Sequence, residues 1–379
     1  MERFDAIVMG LGAHGSSASL ALAGRGAKVL GIEAGGRVHG LGSSGGRSRM
    51  IRRAYFEDPA YLPLLAAAWE AWERIGLAVG EQLIEVTGGL YAGPAESAVF
   101  RGSVASARDQ GLPHEVLDAA EINRRWPIFT VRTEMGGLYD PGAGMIRPER
   151  AIDAQLQLAE KAGAEFHFDE RATDWRPVAS GGGIEVETDA AVYAASHLVI
   201  AAGAWTRSFV ADLRVPLEVE RMPVFWFEPD VPMDEVGVGR LPMWIMDTGA
   251  LGIFYGFPYD DAAGLKVSRH HSGDVVDPDH VGRAERTADV ERVRGFMRRH
   301  MPAANGPLRE STVCLYTNTP DLNFVIDVHP AVPGVAFASA CSGHGFKFAP
   351  VIGEILADLA MDGSTSHQID SFRAGRFAG

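Results

Sequence analysis

The chain has 379 residues, 46% hydrophobic and 22% charged, with a formal net charge of −14. That length exceeds what one hydrophobic core usually serves, so two domains are expected, with the composition of a soluble globular protein. The negative balance argues against non-specific binding to nucleic acid or anionic membrane, although a local Arg/Lys cluster can still hold an anionic substrate.

The first 33 residues read as strand, turn, helix, strand. Phe4 to Met9 is a β-prone apolar run, and Gly10-Leu11-Gly12-Ala13-His14-Gly15 follows it. A small-residue segment from Ser16 to Ala23 can continue as a helix, and Lys28 to Ile32 is a second apolar run ending on Glu33. The spacing assigns Gly10 to a tight turn, Gly12 to close backbone approach by a pyrophosphate, and Gly15 to helix–strand packing. Free N–H groups at the positive end of the helix suit a phosphate, and Glu33 is placed for ribose hydroxyls. Its carboxylate would repel the 2′-phosphate of NADP, which leaves NAD and FAD.

Gly35 to Arg53 is a Gly/Ser/Arg-rich loop without an apolar period. Within it Arg49 and Arg52 could stabilise an anionic flavin or grip a carboxylate, or could belong to a solvated basic loop with Arg47 and Arg53. Helices are predicted over Pro59–Ile75, Glu96–Gln110, Ala119–Trp126 and Pro148–Ala162, with strands at 87–91, 136–139 and 165–168. A hairpin pattern spans Thr173 to Val192. His197 to Trp205 is a strand buried on both faces that ends in a small-residue turn. Met222–Phe227, Met243–Asp247 and Ile253–Phe257 read as antiparallel strands, and Arg283–His300 as a charged helix. From Thr312 the chain returns to strand (Phe324–Asp327, Val335–Ala340), turn (Ser342–Gly345) and a last helix, Pro350–Met361.

Gly343-His344-Gly345-Phe346-Lys347 offers N–H groups and a cation just ahead of that helix. Lys266 reads either as an interior cation or as a solvent-facing strand residue. Cys314 and Cys341 make neither a disulfide framework nor a zinc ligand set; no metal is expected, and a reducing compartment is. The N-terminal stretch is broken by glycines, and Arg376 to Gly379 is not a peroxisomal address, so a cytoplasmic location is expected.

Five segments together resemble the monomeric sarcosine oxidase family, kin of N-methyltryptophan and pipecolate oxidases. They are the stretch to Glu33, Gly42 to Tyr55, Tyr255 to Lys266, Cys314 to Pro330, and Ser342 to Lys347. The resemblance covers almost the whole chain. It implies an α/β fold in which a Rossmann-type, glutathione-reductase-like FAD-binding domain (1–85, 145–215, 310–379) is interleaved with an α+β substrate domain (86–144, 216–309) carrying an antiparallel sheet. It implies FAD joined through a cysteine thioether to the 8α carbon, with Cys314 at the matching position. Arg52 and Lys347 match the carboxylate-binding pair, Arg49 a residue beneath the flavin, and Lys266 the lysine that activates oxygen. Met246, Tyr255 and His270 match pocket positions, with Tyr255 and His270 also catalytic, while Ser43, Ser48, Gly343 and Gly345 match the cofactor surround.

The implied reaction is oxidation of a secondary or N-methyl amino acid by dioxygen, giving an imine that hydrolyses, and hydrogen peroxide. The implied protein is a monomer. The chain departs from the family at Ser44-Gly45, where a His pair is usual, and at Arg47, Ser48 and Arg53. Those departures leave the substrate's side chain open, including bulkier or cyclic amines such as pipecolate, proline or N-methyltryptophan. A same-fold dehydrogenase and a flavin-binding sensor are the competing readings. Lys266 speaks against the dehydrogenase, and convergence of Arg52 with Lys347 against a sensor.

Overall fold

A computed structural model describes residues 3–178, 182–271 and 273–377. Strands of like direction form its centre. β1 (Arg3–Met9) pairs in parallel with β2 (Val29–Ile32) on one side and with strand Val192–Ile200 on the other, which in turn pairs in parallel with Val335–Ser339. Ile7, Val8, Leu198 and Val199 are fully buried, as parallel strands covered on both faces require. Helix α1 (Ala13–Gly24) and the last helix, Ala349–Asp362, cover one face. Their approach is close: a Cβ on Gly353 would stand 2.4 Å from Ser17 Oγ.

The second large sheet has the order Leu308–Asn318, Glu218–Phe227, Leu265–His270, Ile253–Gly256, Met243–Asp247, Gly89–Pro94, Met135–Asp140, Glu115–Asp118. Pairing is antiparallel except between Met243–Asp247 and Gly89–Pro94, which run parallel. Leu90, Trp244, Met246, Phe254 and Phe296 build a core on its outer face. A small third sheet joins Arg49–Ile51, Gly144–Ile146 and Ile84–Val86.

Several expectations shift. The boundary expected at residue 310 falls inside strand Leu308–Asn318, which pairs with Glu218–Phe227 along its length and so belongs to the second sheet. The helix expected from Arg283 begins at Thr287. Arg283 instead donates to the carbonyls of Leu41 at 2.5 Å and Val313 at 3.1 Å, and the neighbouring Gly282 and Ala284 carbonyls accept from Arg221. The helix expected from Glu96 opens as a π turn, Ala98–Gly102, before Ser103–Asp109 continues as α.

Candidate functional site

β1 ends at Met9, and Gly10 turns the chain with φ 86°, a left-handed conformation that glycine adopts without strain. Gly15 sits against that turn: a Cβ there would lie 1.7 Å from the Gly10 carbonyl oxygen. Gly10, Gly12 and Glu33 line a cavity of about 640 Å³, whereas Gly15 packs behind it. Glu33 accepts from the N–H groups of Leu11 at 2.7 Å and Gly35 at 3.1 Å, with His39 Nε2 3.0 Å away. Burial opposes ionisation of its carboxyl, but His39 and the two N–H groups hold it below the usual carboxylate range. A carboxylate has about four acceptor sites, so capacity remains for a ribose hydroxyl.

The same cavity extends to a second wall built from the Ser43–Arg52 loop, the second sheet and the loop before the last helix. Arg49 is gripped by carbonyls: it donates to Ser43 and Ser48, each at 2.8 Å, and to Gly45. Its Nη2 also lies 3.5 Å from Cys314 Sγ. On strand Leu308–Asn318, Cys314 and Tyr316 alternate onto the cavity side. Tyr316 OH lies 3.3 Å from His270 Nδ1, and Tyr255 faces the same space. Burial, reinforced by His271, His344, Arg52 and Lys347, pushes the His270 pKa well down, so its ring is neutral.

Lys266 is 1% exposed and pairs across the sheet with Trp226. Its Nζ donates to the carbonyls of Gly46 at 2.8 Å and Ser48 at 3.0 Å, and meets Ser48 Oγ at 3.2 Å. The ring centroids of Phe257 and Trp226 are 4.9 and 5.5 Å away. Burial, with Arg49 nearby, drives its pKa well below the ordinary lysine value, while Cys314 and Glu149 oppose the fall. A third cation group, Arg52 and Lys347, also borders the cavity. Arg52 is 2% exposed and paired with Glu57. Lys347, 4% exposed, donates to the His344 carbonyl at 2.5 Å. Burial and Arg52 lower the Lys347 pKa to about 7, against the pull of Glu57.

The family described as FAD dependent oxidoreductase matches residues 5–359. The chain belongs to that family. It is 42% identical to a monomeric sarcosine oxidase of Streptomyces avermitilis, over 99% of this chain and 98% of that protein. It is 32% identical to an N-methyl-L-tryptophan oxidase of Salmonella dublin, over 99% and 100%. The open form of NikD, an unusual amino acid oxidase essential for nikkomycin biosynthesis, shares the fold with a TM-score of 0.87 at 24% identity, covering 98% of each chain.

The cavity fits the cofactor of this FAD-dependent oxidoreductase. His14 Nε2, Ser43 Oγ, Thr317 Oγ1 and Ser339 Oγ are buried polar atoms of its lining residues, and none has a hydrogen-bond partner among the described residues. Buried polar atoms are normally partnered, so four such orphans around one cavity call for a polar occupant. Gly10, Gly12 and Glu33, with Ser43, Ser48, Arg49, Gly343 and Gly345, all line this cavity.

The structure brings Arg52, Tyr255, His270, Cys314 and Lys347 to the cavity wall, with Lys266 just behind Ser48. Met246 is the exception. It is fully buried in the core on the far face, and Ile245, directly opposite Tyr255, takes the pocket position. One residue along a strand reverses the face. Two further residues escaped sequence reasoning. Glu57 lies five positions past Arg52 in the same loop, an acid close enough in sequence to have been noticed as its partner. Tyr316 lies two positions past Cys314 on an extended stretch, and that spacing alone puts the two on one face.

Proposed function

We propose that this FAD-dependent oxidoreductase is an oxidase of secondary or N-methyl amino acids. The observation that carries the reading is the meeting of two buried cations, Arg52 and Lys347, at a cavity that Tyr255, His270 and Cys314 also line, with Lys266 behind Ser48. Arg52 and Lys347 suit the carboxylate of an amino acid, and the cavity has room for its apolar remainder against Ile245 and Phe257. FAD, when bound, supplies the acceptor for a hydride equivalent from the carbon beside nitrogen and passes the electrons to dioxygen. Tyr255 and the neutral ring of His270 border the substrate space, and Arg49 adds positive charge beside Cys314. Burial lowers the Lys266 pKa, but its Nζ meets three acceptors, as many as an ammonium has donors; in that protonated form Lys266 supplies positive charge for the anion that reduction of dioxygen creates.

For an N-methyl amino acid the balance is substrate plus dioxygen plus water, giving the amino acid, formaldehyde and hydrogen peroxide. Covalent attachment at Cys314, a monomeric state and dioxygen as acceptor belong to the same proposal. Their support is the buried position of Cys314 on the cavity wall beside Arg49 and the similarity to the sarcosine oxidases. Peroxide release with a panel of N-methyl amino acids tests the reading. Turnover with an artificial electron acceptor but no peroxide would leave the dehydrogenase reading instead.

A further inference from the structure

The two cations read as a carboxylate grip already face a carboxylate. Glu57 stands in the irregular stretch between strand Arg49–Ile51 and the turn Pro59–Tyr61, and its side chain pairs with Arg52 inside the cavity. Arg52 is closed in by rings, with Tyr55 and Phe56 centroids 4.4 and 4.5 Å from its guanidinium carbon. Neither partner is satisfied. Glu57 Oε2 and Arg52 Nε are buried without a hydrogen-bond partner among the described residues. Lys347 uses one of its three donors, on the His344 carbonyl. His344 does not compete for the acid: its Nε2 faces the Leu322 carbonyl at 3.2 Å and its Nδ1 the Tyr55 hydroxyl at 2.5 Å. Since the carbonyl can only accept, Nε2 carries the proton and Nδ1 accepts from Tyr55.

We propose that Glu57 is a resident counter-ion of this site: it holds Arg52 in the free protein, a ligand carboxylate displaces it, and its charge thereby sets the site's affinity for carboxylates. The proposal rests on the reading of Arg52 and Lys347 as the carboxylate grip. Two cations in a ring-lined pocket are costly to bury without an anion, because little water reaches them. Glu57 supplies that anion with a single strong contact, whereas a ligand carboxylate lying between Arg52 and Lys347 can use donors from both. The exchange therefore favours a charged ligand and gives nothing to a neutral one. Glu57 is 17% exposed against 2% for Arg52, so the acid has the route to solvent when it is displaced.

The test uses the flavin-loaded protein at pH 5, well below the Lys347 value, so that the ammonium stays charged even when Glu57 no longer raises that value, and an unreactive probe, methoxyacetate, with methoxyacetamide as its neutral counterpart. Binding is read from the change in flavin absorbance. Glu57→Gln is expected to tighten methoxyacetate about tenfold, near the lower end of one contact to a charged group, and to leave methoxyacetamide unchanged. Arg52→Met and Lys347→Met are expected to weaken methoxyacetate. If neither does, the grip reading fails and this proposal with it. If both do, but Glu57→Gln leaves methoxyacetate unchanged or weakens it, Glu57 is a structural brace and the proposal alone fails. A measurement on the unmutated protein covers misfolding of the variant. Amide exchange over residues 53–58 should rise with saturating methoxyacetate and not with methoxyacetamide; exchange that falls or stays level overturns the displacement.

Discussion

Cys314 Sγ and Arg49 Nη2 lie 3.5 Å apart on the cavity wall, and the same thiol is 3.4 Å from the Gly45 carbonyl. The other thiol, Cys341, also borders the cavity and meets the Leu315 carbonyl at 4.0 Å. With a flavin thioether assigned to Cys314, the yellow chromophore should stay with the polypeptide through acid precipitation. Cys314→Ala should release it, and Cys341→Ala should not. Colour in the acid supernatant of the unmutated protein ends that assignment.

Arg52 and Lys347 should matter most for ligands with a carboxylate. Replacing either by Met removes a charge-assisted contact of about 1.5–3 kcal/mol. KM or kcat/KM for sarcosine-like substrates should then worsen by roughly one to two decades. Steady-state kinetics on N-methyl amino acids and their decarboxylated analogues check this. Equal turnover of the two series would leave the pair without a role in recognition.

The pH dependence of that grip follows from Lys347. Burial and Arg52, opposed by Glu57, bring its pKa to about 7 in the free protein. Below that value the ammonium is charged and ready for a carboxylate. Above it, binding must first recover a proton, so Kd for an unreactive carboxylate should be level below pH 7 and rise above it. Arg52 stays charged throughout, and burial keeps His344 neutral with its pKa near 3, so neither produces the break. In Lys347→Met the profile should be flat across pH 6–9. A break that survives the substitution belongs to another group.

What the sequence revealed was local. The β1–α1–β2 unit is written in apolar runs and glycines a few residues apart, and the two-sided burial of Leu198 to Ile200 in an unbroken apolar run. What it hid was register and partner. The Cys314 strand turns out to pair with Glu218–Phe227, a choice made by packing and not visible in its own residues. The residues just before the charged helix are engaged by distant segments, Arg283 by the Leu41 and Val313 carbonyls and Ala284 by Arg221, and none of those partners is visible locally. The Arg52–Glu57 pair could be guessed from proximity, but its burial could not.

Ile245 and Met246 give that difference a measurable form. Met246 is locked in the outer core, so Met246→Ala should lower stability by about 2–5 kcal/mol. Its effect on the relative kcat/KM of different substrates should be small. Ile245→Ala fronts the cavity and should shift kcat/KM between bulky and small N-methyl amino acids by roughly tenfold or more. Thermal melts and a substrate panel on both variants separate the two positions. The reverse pattern would restore Met246 to the pocket.

Lys266 decides the class of the reaction as well as its own role. Dioxygen is uncharged, but the first electron it receives makes an anion. A fixed ammonium close by lowers that barrier without touching the amino acid. Its Nζ is held in place by Gly46 and Ser48, on the loop that also carries Arg49, so the group is preorganised for the step in which it is protonated. Lys266→Met keeps length and apolar stem and removes the charge, and the Trp226 and Phe257 rings around it can accept the change. Flavin reduction by substrate without oxygen should therefore change far less than reoxidation. A loss of about three decades in the oxygen step corresponds to roughly 4 kcal/mol, within the range of single preorganised groups. Two stopped-flow traces, one per half-reaction, measure it. If the variant reoxidises as fast as its parent, Lys266 is an ordinary buried strand residue, and an electron acceptor other than dioxygen becomes the better reading.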